Sequence, residues 1–464
     1  MHTVQLQHTV SIQELGDELD GRVIAPSDAG YDEARTVFHG GIDRRPAAIV
    51  RAATAGDVAR VVRFARETGL ELAVRSGGHS AAGHGVTDGG IVLDLRDMRG
   101  LAIDLSQGTA WAETGLTTGE YSAAAATCRL ATGFGDARSV GIGGITLAGG
   151  VGYLVRKHGL TIDHLLAAEI VTADGALRRV DADNHPDLFW AIRGGGGNFG
   201  VVTRFKFRLH ELEKIVGGQL VLPATPEVIS AFVAAAEEAP EELSTIANVM
   251  PAPPLPSLPS EHHGRLVLMA TLVHAGAGRA AERAIAPFRA LASPLADTLR
   301  PMPYPDVFPP VDDDFHPVVA LRTLFLDGID RPAAETIVER LRSATAPMAG
   351  AQLRVLGGAM ARVPAEATAF AHRDQRVIAN VAAIYQRPEE RELHEAWARD
   401  FAAELGPRRP GAYVAFLADE GEARVRDAYP GSTWKRLAAI KARYDPENLF
   451  RLNQNVPPGP DRAG

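Results

Sequence analysis

The residues most able to do chemistry lie in one short run, Arg75-Ser76-Gly77-Gly78-His79-Ser80. A neutral imidazole is a nucleophile near pH 7. Glycines carry no Cβ and take positive φ at no steric cost, so backbone N–H groups in such a turn can approach a phosphate closely. A second run, GIGGITLAGGVG over 141–152, has the same character. Together the two runs point to a dinucleotide whose pyrophosphate rests on backbone rather than on lysines. Read singly, each also fits plain turns, and a histidine in a turn also fits a solvated or hydrogen-bonded side chain.

A Rossmann fingerprint is the competing reading of Gly141 and Gly143. It needs a third small residue where Thr146 stands and a buried strand directly before, which GFGDARS is not. Metal chemistry is not implied. His79 and His84 stand five apart in a loop, His262 and His263 fall in a proline-rich stretch, and VDDDFHP over 311–317 lacks calcium-loop spacing.

The elements that must position these runs are legible from periodicity. Val58, Val61, Val62 and Ala65 predict a helix over 56–69, with Asp57 capping its start and Gly69 ending it. Leu70, Leu72 and Val74 then predict a half-buried strand that stops at the glycines, so His79 is expected in a turn after a strand. Further expectations are a strand over 91–95, an alanine-rich helix over 120–131 and a hairpin turned at Asp174-Gly175. A short helix within 184–200 should stop at four glycines. Val201, Thr203, Phe205, Phe207 and Leu209 alternate with Val202, Arg204, Lys206 and Arg208, which predicts a strand with one wet face.

Length and composition bound the rest. A chain of 464 residues exceeds what one core organises, so two domains are expected. Glycine density falls near residue 215, 250–263 reads as a proline-rich surface loop, and 215–420 mixes strands with long helices. A net charge of -9 gives no general pull toward nucleic acid or anionic membrane. No apolar run approaches a membrane span and the start lacks a leader pattern, so a cytoplasmic protein is expected. The single cysteine, Cys128, excludes an internal disulfide.

Four separated segments resemble one family: RSGGHSAAGHGVTDGGIVLDL, GIGGITLAGGVGYLVRKHGLTIDHL, NHPDLFWAIRGGGGNFGVVTRFKFRL and RLAAIKARYDPENLFRLNQNVPP. They look like the FAD-linked oxidases related to berberine bridge enzyme, in the vanillyl-alcohol oxidase superfamily. GGAMARVPAEATAFAHRD over 357–374 looks like that family's second domain. The resemblance implies an α+β fold with a PCMH-type, two-subdomain FAD-binding domain over 1–214 (core about 45–214) and an inserted α+β substrate domain over 215–420. A C-terminal segment, 421–464, would return to the FAD domain.

The same resemblance implies that His79 bonds covalently to the flavin 8α-methyl carbon of FAD. Arg75, Ser76, Gly77, Gly78, Ser80, Val140, Gly141, Gly143, Gly144, Gly149, Gly150, Gly200, Val201, Val202, Asn453 and Asn455 would surround the cofactor. Many relatives add a cysteine tether three residues before Val140; here Ala137 stands there, so a single bond is expected and Cys128 is read as a small buried side chain. In the family the position of Val140 borders the face where oxygen reacts, so the resemblance further implies O2 as electron acceptor and H2O2 as product. A small-molecule substrate would give a hydride from a C–H beside an alcohol or amine.

The base is harder to read. Ile145 and Val151 replace a histidine and a tyrosine of relatives, and Tyr413-Val-Ala415-Phe416 replaces a Y-x-N-Y segment that offers a tyrosine base. Tyr153 and Tyr429 are therefore the catalytic candidates, with Tyr385 and His372 behind them, and Arg156 is either an anion anchor or a surface pair. The apolar replacements favour an apolar pocket. A dehydrogenase with a non-oxygen acceptor, a nicotinamide-dependent reductase and a non-catalytic flavin carrier are the rival readings.

Overall fold

The computed structural model describes residues 12–312, 314–406 and 409–459. A four-stranded sheet runs in the order Arg22–Ile24, Ala48–Arg51, Ile91–Asp94, Leu72–Arg75, the last three strands parallel. Continuous apolar runs such as Ile91-Val92-Leu93 suit a strand covered on both faces. The strand over 72–75 is covered on both faces too, not half-wet as expected: Leu72 packs with Val58 and Val62, while Ala73 packs with Tyr31 and Val37 on the other side.

The expected helix is Ala55–Thr68. Its N-cap is Thr54 rather than Asp57, because the Thr54 hydroxyl accepts from Asp57 N while the Asp57 carboxylate accepts from Thr54 N. The same buried carboxylate also accepts from Asp20, Gly21 and Ala53 backbone N–H groups, so it anchors the preceding chain. Gly69 ends the helix at φ 69°.

A five-stranded antiparallel sheet follows, ordered Leu101–Asp104, Thr109–Glu113, Val201–Arg208, Leu165–Val171, Leu177–Asp181. Phe205 and Phe207 are buried and Arg204 and Arg208 exposed, as the alternation predicts, but Val202, expected on the wet face, is buried in the apolar cluster. The hairpin turns at Gly175, φ 74°. The alanine-rich helix is shorter than expected, Thr118–Thr127, because Leu130–Ala131 leaves it to pair with His210–Glu211. Cys128 caps that helix half-exposed, not buried.

The inserted region forms an eight-stranded antiparallel sheet. Its main path runs Ala296–Asp297, Ile215–Pro223, Leu266–Ala275, Leu243–Pro251, Met348–Val355, Val377–Tyr385, Val318–Leu326. Helices Pro226–Glu238, Arg279–Arg289, Arg331–Arg342 and Arg391–Glu404 contribute to the apolar cluster on one face of it. Alternation leaves Asn380, Ala382 and Ile384 on the opposite face, toward the first half of the chain. The 250–263 stretch is only partly a surface loop, since Ala252 and Leu258 are buried against Val221 and Val267.

The chain crosses back before residue 421: Ala412, Val414 and Leu417 already pack with Phe189, Phe199 and Leu437. Helix Ser432–Tyr444 then carries Lys441, fully buried, whose ammonium donates to Asp445 at 2.6 Å, Asn198 O at 2.7 Å and Phe450 O at 2.9 Å. Together with the Asn198 side chain, which donates to Gln454 O and accepts from Val456 N, Lys441 holds the 194–200 glycine loop against 450–456. Among the described residues no helix is long and apolar enough to cross a membrane.

Candidate active site

A cavity of about 820 Å³ lies where the sheet of the inserted region faces the glycine-rich segments. Its floor is built from 74–81, 135–148, 196–202 and 450–454, and its roof from the strands carrying Asn248, Gln352 and Asn380.

The two glycine runs meet back to back under this cavity. A Cβ on Gly77 would sit 2.3 Å from Gly141 N, and one on Gly141 would sit 2.1 Å from Ser76 Oγ, so neither position admits a side chain. Ser76 Oγ donates to Thr114 O at 2.6 Å and accepts from Gly143 N at 3.3 Å, which stitches the runs together. The 141–152 run is not all turn: Ile142–Ala148 is a helix whose Gly143 and Gly144 line the cavity. A Cβ on Gly144 would meet no atom within 4 Å.

His79 follows Gly78, whose φ of 73° turns the chain. Its ring stacks on Phe38 with centroids 4.2 Å apart and 21° between planes. Burial, then the neighbouring His39, hold its pKa down at about 4, while a ring N–H facing the Ser139 carbonyl acts the other way. At neutral pH the ring is therefore uncharged. With one nitrogen directed at a carbonyl, the other keeps its lone pair. His84 is held at about 4 by burial and by Arg44, and lies 3.5 Å from Ser80 Oγ through Nδ1.

Of the expected cofactor residues, Arg75, Ser76, Gly77, Gly78, Ser80, Val140, Gly141, Gly143, Gly144, Gly200, Val201, Val202 and Asn453 line this cavity with His79. Arg75 does so only with its stem, for its guanidinium is buried on Asp94 at 2.8 Å and on Ala34 O at 2.5 Å. Gly149 and Gly150 stand behind the wall: Gly149 packs on Phe370, and Gly150 N donates to Tyr413 Oη at 2.9 Å. Asn455 also lies off the wall, its Oδ1 buried without a partner among the described residues.

The tyrosine candidates are displaced more seriously. Tyr153 is buried with Tyr304, Phe308 and Met302 at the seam between the two halves, and Tyr429 is buried beside Gly196. Neither lines the cavity, and burial raises both phenol pKa values, which disfavours the ionised form a base would need. Tyr385 packs on His394, and His372 Nε2 faces Asp427 O, both away from the cavity. Arg156 anchors no anion; it donates to Leu356 O and Ala239 O and ties the two halves.

Several cavity residues carried no signal in the sequence. Arg138 lines the wall with a buried Nε that has no partner among the described residues, as has Oδ1 of Asn453, which the sequence did single out. Overhead, Asn248, Gln352 and Asn380 stand in register on three adjacent strands. Gln352 Nε2 donates to Asn248 Oδ1 at 3.0 Å, and Gln352 Oε1 accepts from Arg354 Nε at 2.9 Å. Arg354 in turn donates to Asp136 Oδ2 at 2.8 Å and lies 4.9 Å above the Phe416 ring. Ala137, at the position of the relatives' cysteinyl tether, lines the cavity, and Cys128 does not.

Comparison with known proteins agrees with this arrangement. Residues 46–181 match the family model described as FAD binding domain, and 412–457 match the one described as berberine and berberine like. The chain is 33% identical over 462 residues to (R)-6-hydroxynicotine oxidase of Paenarthrobacter nicotinovorans, covering 95% of this chain and 97% of that one. The structure of 6-hydroxy-D-nicotine oxidase from Arthrobacter nicotinovorans superposes with a TM-score of 0.85 at 30% identity, over 95% of this chain and 99% of the other. Glucooligosaccharide oxidase from Acremonium strictum, described with a 6-S-cysteinyl, 8α-N1-histidyl FAD, superposes with a TM-score of 0.85 at 25% identity, over 97% and 100%.

Proposed function

The chain belongs to the FAD-linked oxidoreductases related to berberine bridge enzyme, and we propose on that premise that it is an oxidase of a small organic molecule, with FAD tethered to His79 alone. The observation that carries the tether is the uncharged imidazole of His79, placed on the cavity wall by a glycine turn and keeping one free lone pair.

The residues present fit the cofactor. The open space over Gly144, the unpaired Arg138 Nε and the unpaired Asn453 Oδ1 are what an occupant with phosphate and amide groups would satisfy. When bound, FAD supplies the two-electron chemistry, taking a hydride from a C–H beside an alcohol or amine and passing the electrons to O2, which leaves as H2O2. Gly77 and Gly141 keep the floor thin, Ser76 locks it, and Phe38 fixes the plane of the His79 ring. Val140, on the cavity wall, supports O2 as the acceptor because its small side chain leaves room there.

The substrate wall is mostly apolar, with Ile145, Val151, Ala415 and Phe416 on it, but the Asn248, Gln352 and Asn380 amides make it less so than those four residues suggest. Residues 215–420 are proposed to carry most of that wall, with Ile145 and Val151 added from 1–214, and 1–214 with 421–464 are proposed to carry the cofactor. The test is a panel of alcohols, amines, hydroxylated heteroaromatics and sugars, followed by H2O2 release and by anaerobic bleaching of the flavin. Turnover of at least one class with an apolar body is expected. Bleaching by NADPH alone, or a flavin that no panel compound reduces, would contradict the proposal.

A further inference from the structure

We propose that Asp136 is the proton acceptor of the reaction, with Arg354 as the residue that positions it. The proposal rests on the oxidase reading above and supplies the base that reading lacks. The tyrosines that sequence offered lie off the cavity, whereas Asp136 is on its wall with a side chain 26% exposed.

The geometry divides the two carboxylate oxygens. Oδ2 accepts from Arg354 at 2.8 Å; Oδ1 accepts no hydrogen bond from any described residue. Arg354 itself cannot swing away, since its side chain is only 5% exposed, its Nε is held by Gln352 Oε1 and its guanidinium lies over the Phe416 ring. A carboxylate fixed by one oxygen therefore presents the other to the cavity in a set orientation. Phe416 stands where a tyrosine base would be read, and its role here is to seat the guanidinium.

The step balances without a further reactant. As the C–H electron pair leaves for the cofactor as hydride, the neighbouring O–H or N–H bond breaks, its proton passes to Asp136 Oδ1, and C=O or C=N forms. The titratable and charged groups facing Asp136 are Arg354 and the phenols of Tyr153, Tyr304 and Tyr413. The phenol pKa values are all raised by burial, so none competes for the role.

Two readouts on holoenzyme of matched flavin content test the assignment. In the first, the best panel substrate reduces the flavin anaerobically. Asp136→Asn should slow the limiting rate by roughly 100- to 10,000-fold while the half-saturation concentration moves far less, and O2 should reoxidise dithionite-reduced variant at the parent rate. A limiting rate within fivefold of the parent would reduce Asp136 to an ion-pair partner.

The second readout needs no turnover. Phenol has an O–H but no oxidisable C–H beside it, and toluene has neither, so both can be titrated against the visible flavin spectrum. Asp136→Leu combined with Arg354→Met leaves no unpaired buried charge, which guards against misfolding. That double variant should bind phenol about tenfold more weakly or worse and toluene unchanged. Equal effects on the two, or a parent that binds phenol no more tightly than toluene, would overturn the proposal. If no panel compound reduces the parent flavin, the oxidase reading fails instead, and the phenol comparison still decides whether Asp136 meets a donor.

Discussion

Replacing Gly144 by alanine should change stability and cofactor binding in opposite directions. Gly144 is inside helix Ile142–Ala148, and the added methyl would meet no protein atom within 4 Å. Alanine in a helix interior is favoured over glycine by about 0.5–1 kcal/mol, so the cofactor-free protein should gain that much. The methyl would project into the cavity where FAD is proposed to lie. Overpacking of a close contact costs about 1–3 kcal/mol, equivalent to roughly 5- to 150-fold in dissociation constant. The assay is run in a His79→Ala background, so that binding is reversible, with urea unfolding for stability and flavin fluorescence quenching for affinity. Gly77→Ala is the control of opposite sign for stability, since its Cβ would meet backbone at 2.3 Å. Unchanged affinity in Gly144→Ala would refute the placement of the cofactor on this helix, and lower stability would refute the open space above it.

Lys441→Met should cost about 3–5 kcal/mol in urea unfolding, because it leaves the fully buried Asp445 carboxylate without its cation, and in the His79→Ala background FAD affinity should fall with it as the 194–200 loop loosens; unchanged affinity would separate that loop from the cofactor. Val140→Leu should slow O2 reoxidation at least about tenfold, the equivalent of ~1.4 kcal/mol, while leaving anaerobic reduction unchanged in stopped-flow; equal slowing of both would refute the assigned role. Acid should destabilise the fold through the buried imidazoles His158 and His164, held down at about 4 and about 3 by burial and, next, by His210. Their folded pKa values lie below the unfolded one near 6.5, so the unfolded chain binds more protons over that interval. The stabilisation is whole above pH 6.5 and is lost as pH falls, on the order of 2 kcal/mol by pH 5 for His164. His164→Asn should flatten that slope in urea titrations at pH 7 and pH 5.

What the sequence made legible is what depends on local geometry. A strand that ends at two glycines puts His79 in the turn beyond it, so that turn could be read without coordinates, whereas the crossing of Gly77 with Gly141 joins two runs distant in the chain and could not. Helix ends were less sharp: Thr54 and Asp57 can each cap, and the choice depended on which carboxylate the chain at Asp20 and Gly21 would reach. Tyr153 and Tyr429 misled because spacing does not say which side of a buried turn a ring occupies. Asp136 and Arg354 are 218 residues apart and meet only through the packing of the inserted sheet, and the Asn248-Gln352-Asn380 row exists only through strand register. No local pattern encodes either.

A flavin bonded to His79 is tested most directly by mass spectrometry of the tryptic peptide 76–96, because that peptide contains both His79 and His84. From denatured holoprotein it should carry the mass of one FAD less two hydrogens, with fragment ions placing the addition on His79. An unmodified peptide, with all the yellow colour released into the acid supernatant, would contradict the claim, and an addition on His84 would move the attachment to the wrong ring.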